Sequence, residues 1–157
     1  MSSAQDVKVV FDVNSEAWHG HSSESLWASP MNDGFELQNV PFFALGVSLG
    51  DVVEGEKDKQ GNLRFAGVLR RGGHSTVRVV APTEDSEKSP FQDSFEKLVA
   101  AGCRYESGTV HDLSVFAVDI PPDSDIGVVY RVLEAARESG VWDWELGFDG
   151  HPSDPDE

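Results

Sequence analysis

Arg70-Arg71-Gly72-Gly73-His74-Ser75-Thr76-Val77-Arg78 is the stretch on which the reading of the fold turns, because it joins two halves of different patterning and gathers a dense cluster of polar groups. On its C-terminal side the pattern runs strand, helix, strand, strand, helix, strand. Residues 76–81 are rich in β-branched side chains and predict a strand. Ser89 predicts a helix start, with Pro90 at the first helical position and Gln92 reaching back as in a capping box. Phe91, Phe95, Leu98 and Val99 form the apolar stripe of that helix, and Gly102 stops it. Residues 103–110 and 113–120 flank a turn near His111-Asp112, and Pro121-Pro122 ends the hairpin. Asp123 or Ser124 is expected to cap a second helix with Ile126, Val129, Tyr130, Leu133 and Ala136 on one face. In the last strand, residues 141–146, alternation places Trp142, Trp144 and Leu146 on one face and Asp143 with Glu145 on the other. This order is that of a ferredoxin-like (βαββαβ) half with both helices on one side of an antiparallel sheet.

On the N-terminal side the elements are short strands. Val7, Val9 and Phe11 alternate with Lys8 and Val10, and residues 25–29 and 35–39 flank a hairpin turn at Asn32-Asp33-Gly34. Val40-Pro41-Phe42-Phe43-Ala44-Leu45-Gly46 is too apolar for an exposed connection and holds a proline that cannot serve a central ladder, so it predicts a buried, irregular crossing. Residues 49–55 and 63–69 form another hairpin around the tip at 57–62, with glycines that permit curvature. The expected fold is α+β: a small N-terminal half-barrel of short antiparallel strands over residues 1–72, a ferredoxin-like half over 73–150, and an acidic disordered tail over 151–157. No linker separates the halves, so they are expected to pack as one unit.

The formal charge of the 157-residue chain is −16. It is unevenly spread: residues 1–56 carry −8, residues 57–78 carry +5, and residues 79–157 carry −13. Such a field disfavours nucleic acid and acidic membranes and speeds encounter with a basic protein partner. Residues 57–78 are the one place where an anion is attracted. A single cysteine, Cys103, and no apolar run near the roughly 20 residues that span a bilayer point to a cytoplasmic protein. His19 and His21 share a face if extended, but with no Cys or third His nearby they predict no metal site, and nothing in the chain calls for a cofactor.

Several separated motifs resemble one known family. Glu24-Ser25-Leu26-Trp27-Ala28, Asn39-Val40-Pro41-Phe42-Phe43-Ala44, Ser48-Leu49-Gly50-Asp51-Val52-Val53 and Gly73-His74-Ser75-Thr76-Val77-Arg78 carry the likeness, followed by Gly102-Cys103-Arg104-Tyr105-Glu106, Ala117-Val118-Asp119-Ile120-Pro121 and Gly140-Val141-Trp142-Asp143-Trp144-Glu145. In order and content they resemble the bacterial family called domain of unknown function 4265. The resemblance implies a bacterial, soluble protein and transfers no activity.

The residues that carry chemistry cluster around the opening stretch. His74, Thr76 and Arg78 share one face of a strand, where Arg78 binds an anion and His74 moves a proton, with Ser75, Asp51, Glu106 and Glu145 as neighbours of a polar site. The competing reading is structural: Ser75 and Thr76 satisfy backbone groups, and Arg78 pairs with Glu106 or Glu145 of the same sheet. Cys103 reads as a small buried side chain rather than a nucleophile activated by His74. A phosphate-binding glycine loop, a Gly-x-Ser-x-Gly elbow, His-Glu-x-x-His and Cys-x-x-Cys are all absent, as are exposed RNA-binding aromatic motifs. The leading expectation is a non-catalytic acidic protein that binds a protein partner through its open sheet face or barrel groove, in an immunity or inhibitor-type role toward a basic effector. The alternative is a small-ligand sensor or small enzyme with its site at residues 73–78.

Overall fold

Short strands and tight turns curl the first half of the chain into a closed barrel. In the computed structural model, which describes residues 5–151, β1 (Val7–Asp12), β2 (Ser23–Pro30), β3 (Phe35–Leu37), β4 (Val52–Lys57) and β5 (Leu63–Arg70) pair in that order. Successive strands are antiparallel, and β5 then returns parallel to β1, with Val9 opposite Leu63 and Val10 opposite Arg64. The expected half-barrel is therefore closed. Register shifts beside Val53 and Gly55 explain the difference, since bulges raise the local twist and bend β4 and β5 far enough to meet β1. Val9, Phe11, Leu26, Ala28, Leu37 and Val53 fill the interior, together with Ala44 and Val47 from the irregular crossing.

The second half is a four-stranded antiparallel sheet of β6 (Ser75–Pro82), β7 (Arg104–Val110), β8 (Leu113–Ile120) and β9 (Asp143–Phe148), in the order β7-β8-β6-β9. A single helical turn, α1 (Thr83–Ser86), precedes α2 (Ser89–Ala100), and α3 (Ile126–Glu138) follows β8. Phe91, Phe95 and Leu98 of α2 and Val129, Leu133 and Ala136 of α3 pack over Val77, Val79, Val118 and Ile120 on one face of the sheet. Trp142 closes this core and donates its indole N–H to the Leu133 carbonyl at 3.1 Å. Val99, expected in the α2 stripe, is exposed, because the stripe is completed by the aromatic cluster of Phe91, Phe95, Phe116 and Trp142.

The helix starts differ in detail from the sequence expectation. Lys88, not Ser89, occupies the N-cap of α2 and makes no side-chain cap, while Gln92 donates its amide to the Ser86 carbonyl at 2.7 Å instead of closing a capping box. The reason is α1, which leaves a carbonyl at Ser86 within reach of that amide. α3 is capped by Asp125, whose carboxylate accepts from the backbone N–H of Gly127 and Val128, rather than by Asp123 or Ser124.

The other face of the sheet is covered. Thr76, Arg78, Ala117 and Asp119 project from it and are fully buried, with the irregular stretch between β3 and β4 laid over Thr76 and Arg78. Residues 152–157 of the expected tail lie outside the described residues. His151, its first residue, is held at the start of β6, with Nδ1 2.6 Å from Ser75 Oγ and Nε2 2.8 Å from the Pro121 carbonyl. Among the described residues no helix is long and apolar enough to cross a membrane.

Phe91 is 2% exposed and touches three other aromatic rings. Phe91→Ala is expected to lower stability by about 3–5 kcal/mol, read as a fall in the urea midpoint without a change in slope.

Candidate functional site

Strand register places the polar candidates in rows across the covered face of the sheet. Glu106, Ala117, Arg78 and Glu145 lie side by side on β7, β8, β6 and β9, and Arg104, Asp119, Thr76 and Phe148 form the adjacent row. The charged members of the first row reach away from the sheet and hold other backbone or side-chain groups. Arg78 donates from Nε to the Phe42 carbonyl at 2.6 Å and from Nη2 to the Ala44 carbonyl. Glu106 accepts the Val40 N–H at 2.6 Å. Glu145 accepts the Trp18 indole N–H on both oxygens at 3.3 Å. The expected pairing of Arg78 with Glu106 or Glu145 is thus replaced by bonds to carbonyls, because the irregular crossing joins no ladder and, apart from the Gly46 N–H on the Gly147 carbonyl at 3.1 Å, these buried backbone groups turn to side chains.

Glu24 completes this arrangement from the barrel. Its carboxylate accepts from the N–H groups of Phe42, Phe43 and Ala44 at 2.6, 3.0 and 2.9 Å, so this tripeptide gives its donors to a carboxylate while Phe42 and Ala44 give their carbonyls to a guanidinium. Burial pulls Arg78 below its ordinary basicity, which the carboxylates of Glu145 and Glu24 oppose. Its Nη1 has no hydrogen-bond partner among the described residues.

Asp51 is fully buried and organises the joint between barrel and sheet. It accepts from Ser48 N at 2.9 Å, Gly72 N at 2.9 Å and Arg71 Nη1 at 3.1 Å. Gly72 sits against Gly50 so closely that a Cβ there would fall 2.7 Å from the Gly50 carbonyl oxygen, which is why the joint needs a glycine. His74 Nδ1 lies 2.7 Å from Asp119, whose other oxygen takes Arg104 at 3.2 Å, and Thr76 bonds Ser48 at 2.6 Å. Ser75 accepts the Gly150 N–H at 2.8 Å. The seven candidates therefore do not converge on one point. They are spread along the seam between the two β-structures.

The basic stretch is likewise occupied from within. Arg64 pairs with Asp12 and Asp58, Arg70 with Asp33, and Arg71 with Asp51 while lying over the Phe148 ring. Cys103 is 6% exposed, and burial, reinforced by the Asp119 charge, pushes its thiol up to about 12. A thiol held that high is not a nucleophile at neutral pH.

An open concavity lies elsewhere, beside the ends of β6 and β9. It is a groove of about 670 Å³ with walls from Trp18, Val80, Pro82, Leu113 and Trp144, and carboxylates of Asp85, Asp143 and Glu145 along its length. Arg137 also borders it, its guanidinium 5.7 Å from the Trp144 ring centre and paired with Glu134. Of the seven candidates only Glu145 lines this groove. Trp18, 40% exposed, closes one side and also borders a second hollow shared with His19, Phe43 and Leu45. His19 is buried beneath it, stacked on Phe43, and its imidazole is held below the usual range by burial and by His21.

A family model, Domain of unknown function (DUF4265), matches residues 24–144. The chain belongs to the DUF4265 family. The solved structure of a hypothetical protein from Neisseria gonorrhoeae is similar in fold to this DUF4265 protein, with a TM-score of 0.78 at 18% identity over 96% of this chain and 100% of that one. None of the curated proteins compared matches it.

Sequence reasoning missed Trp18, Glu24 and Asp119 as organising residues of the DUF4265 chain. Trp18 falls in a polar, non-periodic stretch whose only signal is a large aromatic in unsuitable company. Asp119 had a plainer signal, an acid inside the apolar run Ala117-Val118-Asp119-Ile120. Glu24 had none, since its partners are backbone amides whose position no side-chain pattern records.

Two outcomes are expected. Arg78→Leu should cost on the order of 3 kcal/mol in urea unfolding, because it strands the buried carbonyls of Phe42 and Ala44. Cys103 should resist iodoacetamide at about pH 8 in the folded protein and react once urea exposes it, measured as mass added per chain.

Proposed function

We propose that this protein is a non-catalytic binder of a basic protein partner, and that it docks that partner at the groove between Trp18 and β9. One observation carries the reading: the polar residues that would make chemistry are committed to hydrogen bonds within the seam between barrel and sheet, whereas the groove beside Trp18 is open, apolar-walled and edged by three carboxylates against one guanidinium. A formal charge of −16 adds long-range attraction for a basic surface. An exposed tryptophan in a groove is also the kind of residue on which interfaces concentrate binding energy. An inhibitor-type role toward a basic effector is the form of binding that this charge fits. We also read the second half as ferredoxin-like, from its strand order and from the helices that follow β6 and β8. The setting we infer is the bacterial cytoplasm, on the strength of a lone, buried cysteine and the bacterial source of the similar solved structure.

The test is retention of purified basic proteins, first captured from a native extract, on immobilised wild-type protein and on Trp18→Ala. A basic protein held at about 50 mM salt, released by about 300 mM, and bound at least about tenfold more weakly by Trp18→Ala is the expected result. Equal retention by the variant, or capture of acidic proteins alone, sinks the proposal.

A further inference from the structure

We infer that the groove is built to seat an arginine side chain of the partner, stacked on the Trp18 indole and paired with the carboxylates of Asp143 and Glu145. This inference rests on the partner-binding reading and names the group that the partner inserts.

Asp143 and Glu145 are alternate residues of β9, so both side chains stand on the same face of the strand, with Cα atoms about 6.6 Å apart by the strand rise. Glu145 faces its carboxylate to Trp18 through two long contacts of 3.3 Å to one indole N–H, which leaves acceptor capacity on both oxygens. Asp143 is exposed, and its Oδ1 takes only the N–H of Trp144 beside it. Trp18, 40% exposed, lines the same groove. An aromatic face beside two carboxylates on one strand is the chemistry that a planar guanidinium satisfies at once, by stacking and by forked hydrogen bonds.

On the opposite face of β9 the chain already houses a guanidinium against a tryptophan. Arg137 lies 5.7 Å over Trp144 and bonds Glu134, and Glu134 also accepts the Trp144 indole N–H at 2.8 Å. Trp144, Glu134 and Arg137 thus form a filled aromatic–carboxylate–guanidinium set. Trp18 with Glu145 repeats its first two members, with the indole N–H on the carboxylate; Arg78, the row neighbour of Glu145, spends Nε and Nη2 on the Phe42 and Ala44 carbonyls and forms no ion pair with Glu145 among the described residues. Lysine meets the charge requirement but not the planar one, so it is the weaker ligand.

The probe is the capped tripeptide acetyl-Gly-Arg-Gly-amide, with lysine and citrulline versions as controls, titrated into the full chain while the indole N–H resonances are followed, that of Trp18 being assigned by Trp18→Phe. Arginine is expected to shift the Trp18 resonance saturably, lysine at several-fold weaker affinity, and neutral citrulline not at all. Asp143→Asn, on an exposed side chain where folding is not at stake, should weaken the arginine response several-fold, and Glu145→Gln should do the same. An unmoved Trp18 signal, an equal response to citrulline, or no loss in Asp143→Asn overturns the inference. If a basic protein still binds in a Trp18-dependent way while the arginine peptide leaves Trp18 unmoved, the partner-binding reading stands and the arginine anchor falls. If both fail, the groove is not a docking site.

Discussion

A buried guanidinium holding two carbonyls of an irregular segment is the interaction on which the rest of this structure depends. The chain between β3 and β4 leaves the barrel, lies over the sheet and returns to the barrel without joining either ladder, and Pro41 cannot donate to one. Its apolar side chains draw it inside, but its backbone N–H and C=O groups then lose water and need partners. Arg78 supplies donors, Glu24 and Glu106 supply acceptors, and Asp51 closes the turn at Ser48. Neutral side chains would be too short or too few-handed to serve several backbone groups each. A guanidinium and a carboxylate have the reach and the valence to do so.

That solution explains where the positive charge goes. The basic stretch from Lys57 to Arg78 looks from its composition like an anion site, yet its arginines are drawn to partners within the fold, most of them distant in sequence: Arg64 to Asp12 as well as its neighbour Asp58, Arg70 to Asp33, Arg71 to Asp51 and Arg78 to the Phe42 carbonyl. With these cations committed internally, the field outside is set by the acids. The groove beside β9 inherits this, with Asp85, Asp143 and Glu145 on an otherwise apolar lining. Trp18 couples the two: it belongs to the barrel half, its indole rests on Glu145 of the sheet, and Glu145 is the row neighbour of Arg78. The proposed binding surface is thus an edge of the same seam that Arg78 holds together.

Strands, helices and the buried crossing were legible because each rests on local pattern. Residues 76–81 are apolar and β-branched, Phe91, Phe95 and Leu98 recur at helical spacing, and the apolar run around Pro41 fits neither an exposed loop nor a ladder. Closure of the barrel was not legible, since it depends on β5 finding β1 across more than fifty residues, aided by bulges that leave no mark on hydrophobic alternation. The helix caps were misplaced by a residue or two, because the competing partners, the Ser86 carbonyl and the α3 amides, are geometric facts of the turn.

Composition and spacing alone determined that the chain is acidic, that its second half carries two amphipathic helices among four strands, and that Thr76 and Arg78 share a strand face, whereas His74 stands just before β6. These properties depend on charge count and on the periods of helix and strand, which are local. Only the tertiary structure decided that this face is roofed by the crossing, that Arg78 serves carbonyls rather than carboxylates, and that an open groove lies beside Trp18. The physical reason is that a polar side chain is claimed by whichever unsatisfied backbone group folding brings within about 3 Å of it, and which group that is depends on packing between distant segments.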